Sequence, residues 1–105
     1  LILLEKFLID NGVDKKSYNI FDADKDNLPK ERFDIIVSLY SLDYHYDFNI
    51  YLKYFKDVFS DNTILIFDTI RAEYFEKIFK KINIIKEDNE TMHKSKRIAC
   101  KFLIR

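Results

Sequence analysis

One glycine, Gly12, is all the chain holds in 105 residues. Average usage would supply about seven. A phosphate-cradling or dinucleotide-binding loop needs several glycines at short fixed spacing, so no such loop can be built from these residues. Nor can the strained strand-to-helix turn that presents a nucleophilic serine. Proline is equally scarce, with Pro29 alone. The single cysteine, Cys100, excludes an internal disulfide framework and fits a reducing, cytoplasmic setting. Eighteen basic and eighteen acidic residues cancel, which argues against nucleic acid as the main partner, since phosphate binding leaves a basic excess. No apolar run approaches the roughly 20 residues of a membrane span. The opening LILLEKFLID has acidic residues inside it and no basic stretch before it, so it makes a poor signal peptide and no membrane partner is expected.

What is present reads as one α/β domain. Apolar residues make up 48% of the chain and aromatics 16%, which suits a packed globule. Residues 1–11 form an amphipathic helix with Leu1, Leu4, Phe7 and Leu8 on one side, stopped at Asn11-Gly12. A chain that begins at Leu1 on an already amphipathic helix suggests that something precedes it. Residues 17–21 (SYNIF) read as a short strand, followed by a polar loop with Asp22, Asp24 and Asp26. These alternate carboxylates faintly resemble a calcium loop but lack its glycine and terminal glutamate, so a solvated loop is the better reading.

The stretch at residues 32–46, RFDIIVSLYSLDYHY, organises the rest. Its apolar run predicts a strand at residues 33–40 buried on both faces. Residues 48–59 come next as a helix with a broad apolar stripe, and residues 63–68 (TILIFD) as a second apolar strand. A helix is expected over residues 72–82, then a short strand at 83–86, a polar loop at 87–96 and a closing strand at 97–104. The last two strands pair as an antiparallel hairpin. Strands alternating with helices predict a mostly parallel sheet. In such sheets ligands gather beyond the carboxyl ends of the strands, here the polar, aromatic residues after Tyr40.

Three stretches together, NIFDAD…NLP, RFDIIVSLYSLDYHY and NTILIFDTIR, resemble the second half of a class I S-adenosylmethionine-dependent methyltransferase. SLYSLDYHY and LIFDTIR are further similar to sugar O-methyltransferases, in which a His-Tyr pair follows the central strand. The resemblance implies a Rossmann-like three-layer sandwich truncated at its amino end, with the strands at 33–40, 63–68 and 97–104 as neighbours and 83–86 at one edge. The strand at 17–21 would then sit beside 33–40 or stay unpaired, and an orphaned edge invites a homo-oligomer. The glycine-rich loop and the ribose-binding acid of that family have no counterpart here.

The same resemblance assigns candidate roles. Asp22 and Ala23 match the adenine-contacting position, and Ser38, Tyr40 and Ser41 the strand end beneath the cofactor, S-adenosylmethionine. His45 would take the proton of a sugar or small-molecule hydroxyl, a task suited to a group titrating near neutrality. Its plainer reading is a loop histidine bonded to Asp43 or Asp47. Tyr44 and Tyr46 would line the acceptor site or pack on the next helix. Asp68 and Arg71 would pair at the second strand's end, with a site role or none. His93, beside Met92, reads as surface, and His45 and His93 without matching cysteines make no zinc site. The expectation is the carboxyl-terminal portion of such an enzyme, which by itself does not bind S-adenosylmethionine with ordinary affinity. The competing expectation is a non-catalytic interaction module that completes its sheet with a partner chain.

Overall fold

A computed structural model describes residues 2–88 and 94–105. Helix α1 (Ile2–Asp10) is followed by a 3-10 helix (Lys15–Ser17) and an irregular segment. Strand β1 (Ile35–Ser38), helix α2 (Phe48–Val58) and strand β2 (Ile64–Thr69) make a β-α-β unit. A second 3-10 helix (Ala72–Lys77) leads into β3 (Phe79–Glu87) and β4 (Lys96–Leu103). Leu1, Met92 and His93, with half of the expected polar loop, lie outside the described residues. Among the described residues no helix is long and apolar enough to cross a membrane.

The four strands lie in the order β1-β2-β4-β3. That is the neighbour order expected from the sequence, with the closing strand inserted between the second strand and the edge. The expectation of a mostly parallel sheet is corrected. Only β1 and β2 pair in parallel, while β4 is antiparallel to both β2 and β3. Three strands therefore share one direction and β4 alone opposes them.

The three-layer expectation also needs correction. One sheet face carries Leu65, Phe67, Ile98 and Cys100, all buried. Against it lie Phe48, Phe55 and Val58 of α2, an amphipathic helix started by the Asp47 cap, whose Oδ1 accepts from the Asn49 N–H at 3.0 Å. Register makes this segregation unavoidable: Ile36 pairs with Leu65 and Ser38 with Phe67, so Ile35 and Val37 must point to the other face. There Ile35 is 61% and Val37 54% exposed, so β1 is not buried on both sides. Helix α1 does not supply the missing layer, since none of its residues is buried. It ends at the expected Gly12 (φ 80°), with Gly12 N–H donating to the Ile9 carbonyl and Val13 N–H to that of Leu8. The radius of gyration is 15.1 Å, against about 13 Å for a compact domain of this length, because this amino-terminal arm is unpacked.

Two element assignments change. Residues 17–21 form no strand: Asp14 caps the 3-10 helix, its Oδ1 accepting from Lys16 N–H, and residues 18–21 run on without a strand partner. The helix expected at residues 72–82 is a 3-10 helix that stops at Lys77, and residues 79–82 join β3. The apolar spacing there fits the helical period, but Phe79, Ile82 and Ile84 gain cross-strand partners in Leu103, Cys100 and Ile98. Ile85 falls at a register break and is left out of the ladder.

Phe48 is the centre of the core. It is fully buried and its ring lies 4.9 Å from Phe75, 5.4 Å from Phe55 and Phe67, and 6.1 Å from Phe79. Phe48→Ala is expected to cost about 3–5 kcal/mol in chemical denaturation, whereas Val37→Thr stays within about 0.5 kcal/mol. A near-neutral Phe48→Ala would contradict this packing. Burial also pushes the Cys100 thiol up to about 12. The native thiol should therefore resist a disulfide reagent at pH 8 and react only on unfolding. Because the folded state holds this proton longer, stability should fall as pH rises above the ordinary thiol value of about 8.5.

Candidate functional site

The loop at residues 39–47 joins β1 to α2 and holds half of the residues assigned site roles from the sequence. Its conformation is unusual. Tyr40 (φ 54°) and Asp43 (φ 65°) both occupy the left-handed region without being glycine. Asp tolerates this; a bulky tyrosine does so only when its surroundings impose it. Two carboxylates do so here. Asp68 Oδ2 accepts the Tyr40 N–H at 2.9 Å. Asp43 accepts from Thr69 Oγ1 at 2.7 Å and from Arg71 through Nη2 at 2.6 Å and Nε at 3.1 Å. The turn closes with Leu42 N–H donating to Ser38 Oγ and Asp43 N–H to the Tyr46 carbonyl.

The expected Asp68–Arg71 pair is not formed. Register opposes Asp68 to Arg97, directly across from it on β4, and Arg97 Nε donates to Asp68 Oδ1 at 3.0 Å. Arg71, past the strand end, turns instead to Asp43 and stacks over Tyr74 with 4.1 Å between guanidinium carbon and ring centre. Both guanidinium groups are held protonated above their usual range, chiefly by these carboxylate hydrogen bonds.

Two clefts open on this loop. The first, of about 400 Å³, is lined by Ala23, Leu28, Ile36, Val37, Ser38, Ser41, Leu42, Tyr46, Tyr51, Tyr54 and Phe55. It thus gathers three residues assigned to the cofactor, Ala23, Ser38 and Ser41, from segments far apart in sequence. The arm bearing Ala23 is anchored by Tyr54, whose hydroxyl donates to the Pro29 carbonyl at 2.6 Å. Burial, followed by the Glu31 charge, raises the Tyr54 phenol above its ordinary value. The other two assigned residues stand outside the lining. Asp22 Oδ1 accepts from Asp24 N–H, a local turn contact. Tyr40 packs edge-on to Tyr44 and lies 5.5 Å from the Arg97 guanidinium.

The second cleft, of about 340 Å³, is lined by Asp43, Tyr44, Tyr46, Asp47, Asn49, Ile70 and Arg71. Tyr46 is a wall of both. The residues assigned to the acceptor divide: Tyr44, Tyr46 and Arg71 line this cleft, while Asp68 is 2% exposed and spent on Tyr40 and Arg97. His45 is exposed between the two lining tyrosines and lines neither cleft. Among the described residues its imidazole bonds neither Asp43 nor Asp47; its backbone N–H donates to the Ser41 carbonyl. Sequence reasoning misses Tyr51, which reads as part of a helical core stripe, and Tyr54 and Asn49, which carry no signal of their own. No group of three or more metal-ligating side chains occurs among the described residues.

No family model, no curated protein and no solved structure matches the chain.

Asp43 is the residue on which the loop geometry turns. Asp43→Ala strands the Thr69 hydroxyl, unpairs Arg71 and places alanine at positive φ. We expect a loss of about 2 kcal/mol, discounted for the half-exposed Arg71, with Asp43→Asn less damaging. Urea denaturation of both variants checks this; an unchanged midpoint for Asp43→Ala would contradict it.

Proposed function

We propose that this chain is the carboxyl-terminal part of an S-adenosylmethionine-dependent methyltransferase, acting on a sugar or small-molecule hydroxyl and inactive in isolation. One observation carries the reading. Ala23, Ser38 and Ser41, assigned to the cofactor on motif resemblance alone, line a single cleft at the carboxyl end of β1. The cleft suits a purine in kind: aliphatic and aromatic walls around a few hydroxyls. The strand order, with one opposing strand inserted next to the edge, is the order the resemblance implies.

Bound there, the cofactor would supply an electrophilic sulfonium methyl group. The residues of this chain would do the rest. Ala23 and Leu28 would pack on the base, Ser38 and Ser41 would sit at the strand end beneath it, and Tyr46 would separate it from the acceptor. Arg71 and Tyr44 would hold the acceptor on the far side. His45, exposed at the rim, would accept the hydroxyl proton through a change of its side-chain rotamer. No glycine-rich segment in this chain can embrace the methionine end, so the adenine side is the part of the cofactor these residues can hold.

A second reading has its own support. β1 is an outermost strand of the sheet, and Ile35 and Val37 beside that edge are exposed. Such an edge suits a non-catalytic module that completes its sheet with a partner chain or a second copy. A stable stoichiometric complex by light scattering, without nucleoside binding, would favour it.

Adenosine titration followed by amide NMR tests the first reading. Adenosine should shift Ala23, Ser38 and Ser41 with a dissociation constant near 1 mM, about −4 kcal/mol, and S-adenosylmethionine should bind no more than about tenfold tighter. Absence of adenosine shifts at these residues would overturn the adenine assignment. Micromolar S-adenosylmethionine binding would overturn the claim that the isolated chain holds only one side of it.

A further inference from the structure

The cleft beyond Tyr46 has a hydrogen-bonding inventory that selects among acceptors. Asp43 has no capacity to spare: Thr69 and Arg71 occupy both oxygens, and its side chain is only 3% exposed. Asp47 uses Oδ1 as the α2 cap and leaves Oδ2 open. Asn49 Oδ1 accepts from the Tyr74 hydroxyl at 3.2 Å, which orients its amide so that Nδ2 is left to donate. Arg71 donates through Nε and Nη2 to Asp43 and keeps Nη1. The Tyr44 and Tyr46 hydroxyls have no partner among the described residues. Open donors and open acceptors therefore both belong to residues lining this cleft, beside two aromatic rings.

Charge sharpens the choice. Two carboxylates and one guanidinium line the cleft, a net charge of minus one. The guanidinium is already neutralised by the more buried carboxylate, so the unshielded charge is that of Asp47. A phosphate offers only acceptors and nearly two negative charges, which meets Asp47 unfavourably. A sugar hydroxyl both donates and accepts, and its ring can rest on tyrosine.

We propose that this cleft takes an uncharged polyhydroxylated acceptor, a neutral sugar, and discriminates against phosphorylated and carboxylated sugars. The inference rests on the reading above, which places the adenine of the cofactor on the other side of Tyr46, and it narrows the acceptor that reading leaves open.

The test uses the same chain and amide NMR. The neutral probes are the methyl glycosides of glucose, galactose and mannose; the anionic probes are glucose 6-phosphate and glucuronate. At least one neutral glycoside should shift Tyr44, Tyr46, Asn49 and Arg71, with the anionic sugars about fivefold weaker or more at low salt. Asp47→Asn keeps a good helix cap while removing the charge, and should bring that ratio within about twofold. The inference is overturned if no neutral glycoside shifts these residues, if the anionic sugars bind equally or more tightly, or if Asp47→Asn leaves the ratio unchanged. Adenosine in a parallel sample separates the failures. Retained adenosine shifts with no glycoside shifts remove the acceptor inference alone. Loss of the adenosine shifts removes the methyltransferase reading.

Discussion

Everything in the fold hangs on the seating of one phenylalanine. Phe48 is the first residue of α2 and the point at which the β1–α2 loop is tied to the core. Its ring meets rings from α2, β2, the 3-10 helix and β3. Each such ring pair contributes about 0.5–1.5 kcal/mol beyond area burial, so the start of the helix is pinned to the sheet. The cap at Asp47 then fixes the chain direction one residue earlier. A loop tethered this firmly at its far end, and by β1 at its near end, has few conformations left.

The two carboxylates remove most of those that remain. Asp43 and Asp68 sit on different segments but act alike: each is nearly buried, and each joins the loop to the end of β2 with an arginine completing the contacts. Buried charges of this kind contribute little net stability, because desolvation consumes most of the attraction; removing one partner is what costs. Their value here is geometric. They hold Tyr40 and Asp43 at positive φ, and so hold Tyr46 as a wall between two clefts. In a chain with one glycine, side-chain hydrogen bonds enforce the turn that glycine would otherwise permit. The sheet below is covered on one face only, so β1 carries the loop at its end while Ile35 and Val37 remain exposed.

Much of this is legible in the residues. The apolar runs at 35–37 and 64–66, the stripe of α2 and the polar cluster after Tyr40 all declare themselves, because burial against a neighbouring layer enforces simple periods. Residues 79–82 mislead for a definite reason. FKKI continues a helical stripe, and only the pairing of β3 with β4, a non-local fact, overrides it. SYNIF misleads similarly: strand propensity without a partner strand yields the end of a 3-10 helix and an irregular segment. The arginine partners are hidden because register, not spacing, opposes Asp68 to Arg97 and sends Arg71 to Asp43. The union of Ala23 with Ser38 and Ser41 comes from motif resemblance, and no local rule of spacing could supply it.

The account depends on Tyr46 facing a nucleobase on one side and an acceptor on the other. Nuclear Overhauser contacts from the Tyr46 ring protons, measured with adenosine and a neutral methyl glycoside present together, address this directly. Contacts from that one ring to both ligands in the same sample are the predicted result. Contacts to neither ligand, or displacement of one ligand by the other, would contradict a pair of adjoining sites.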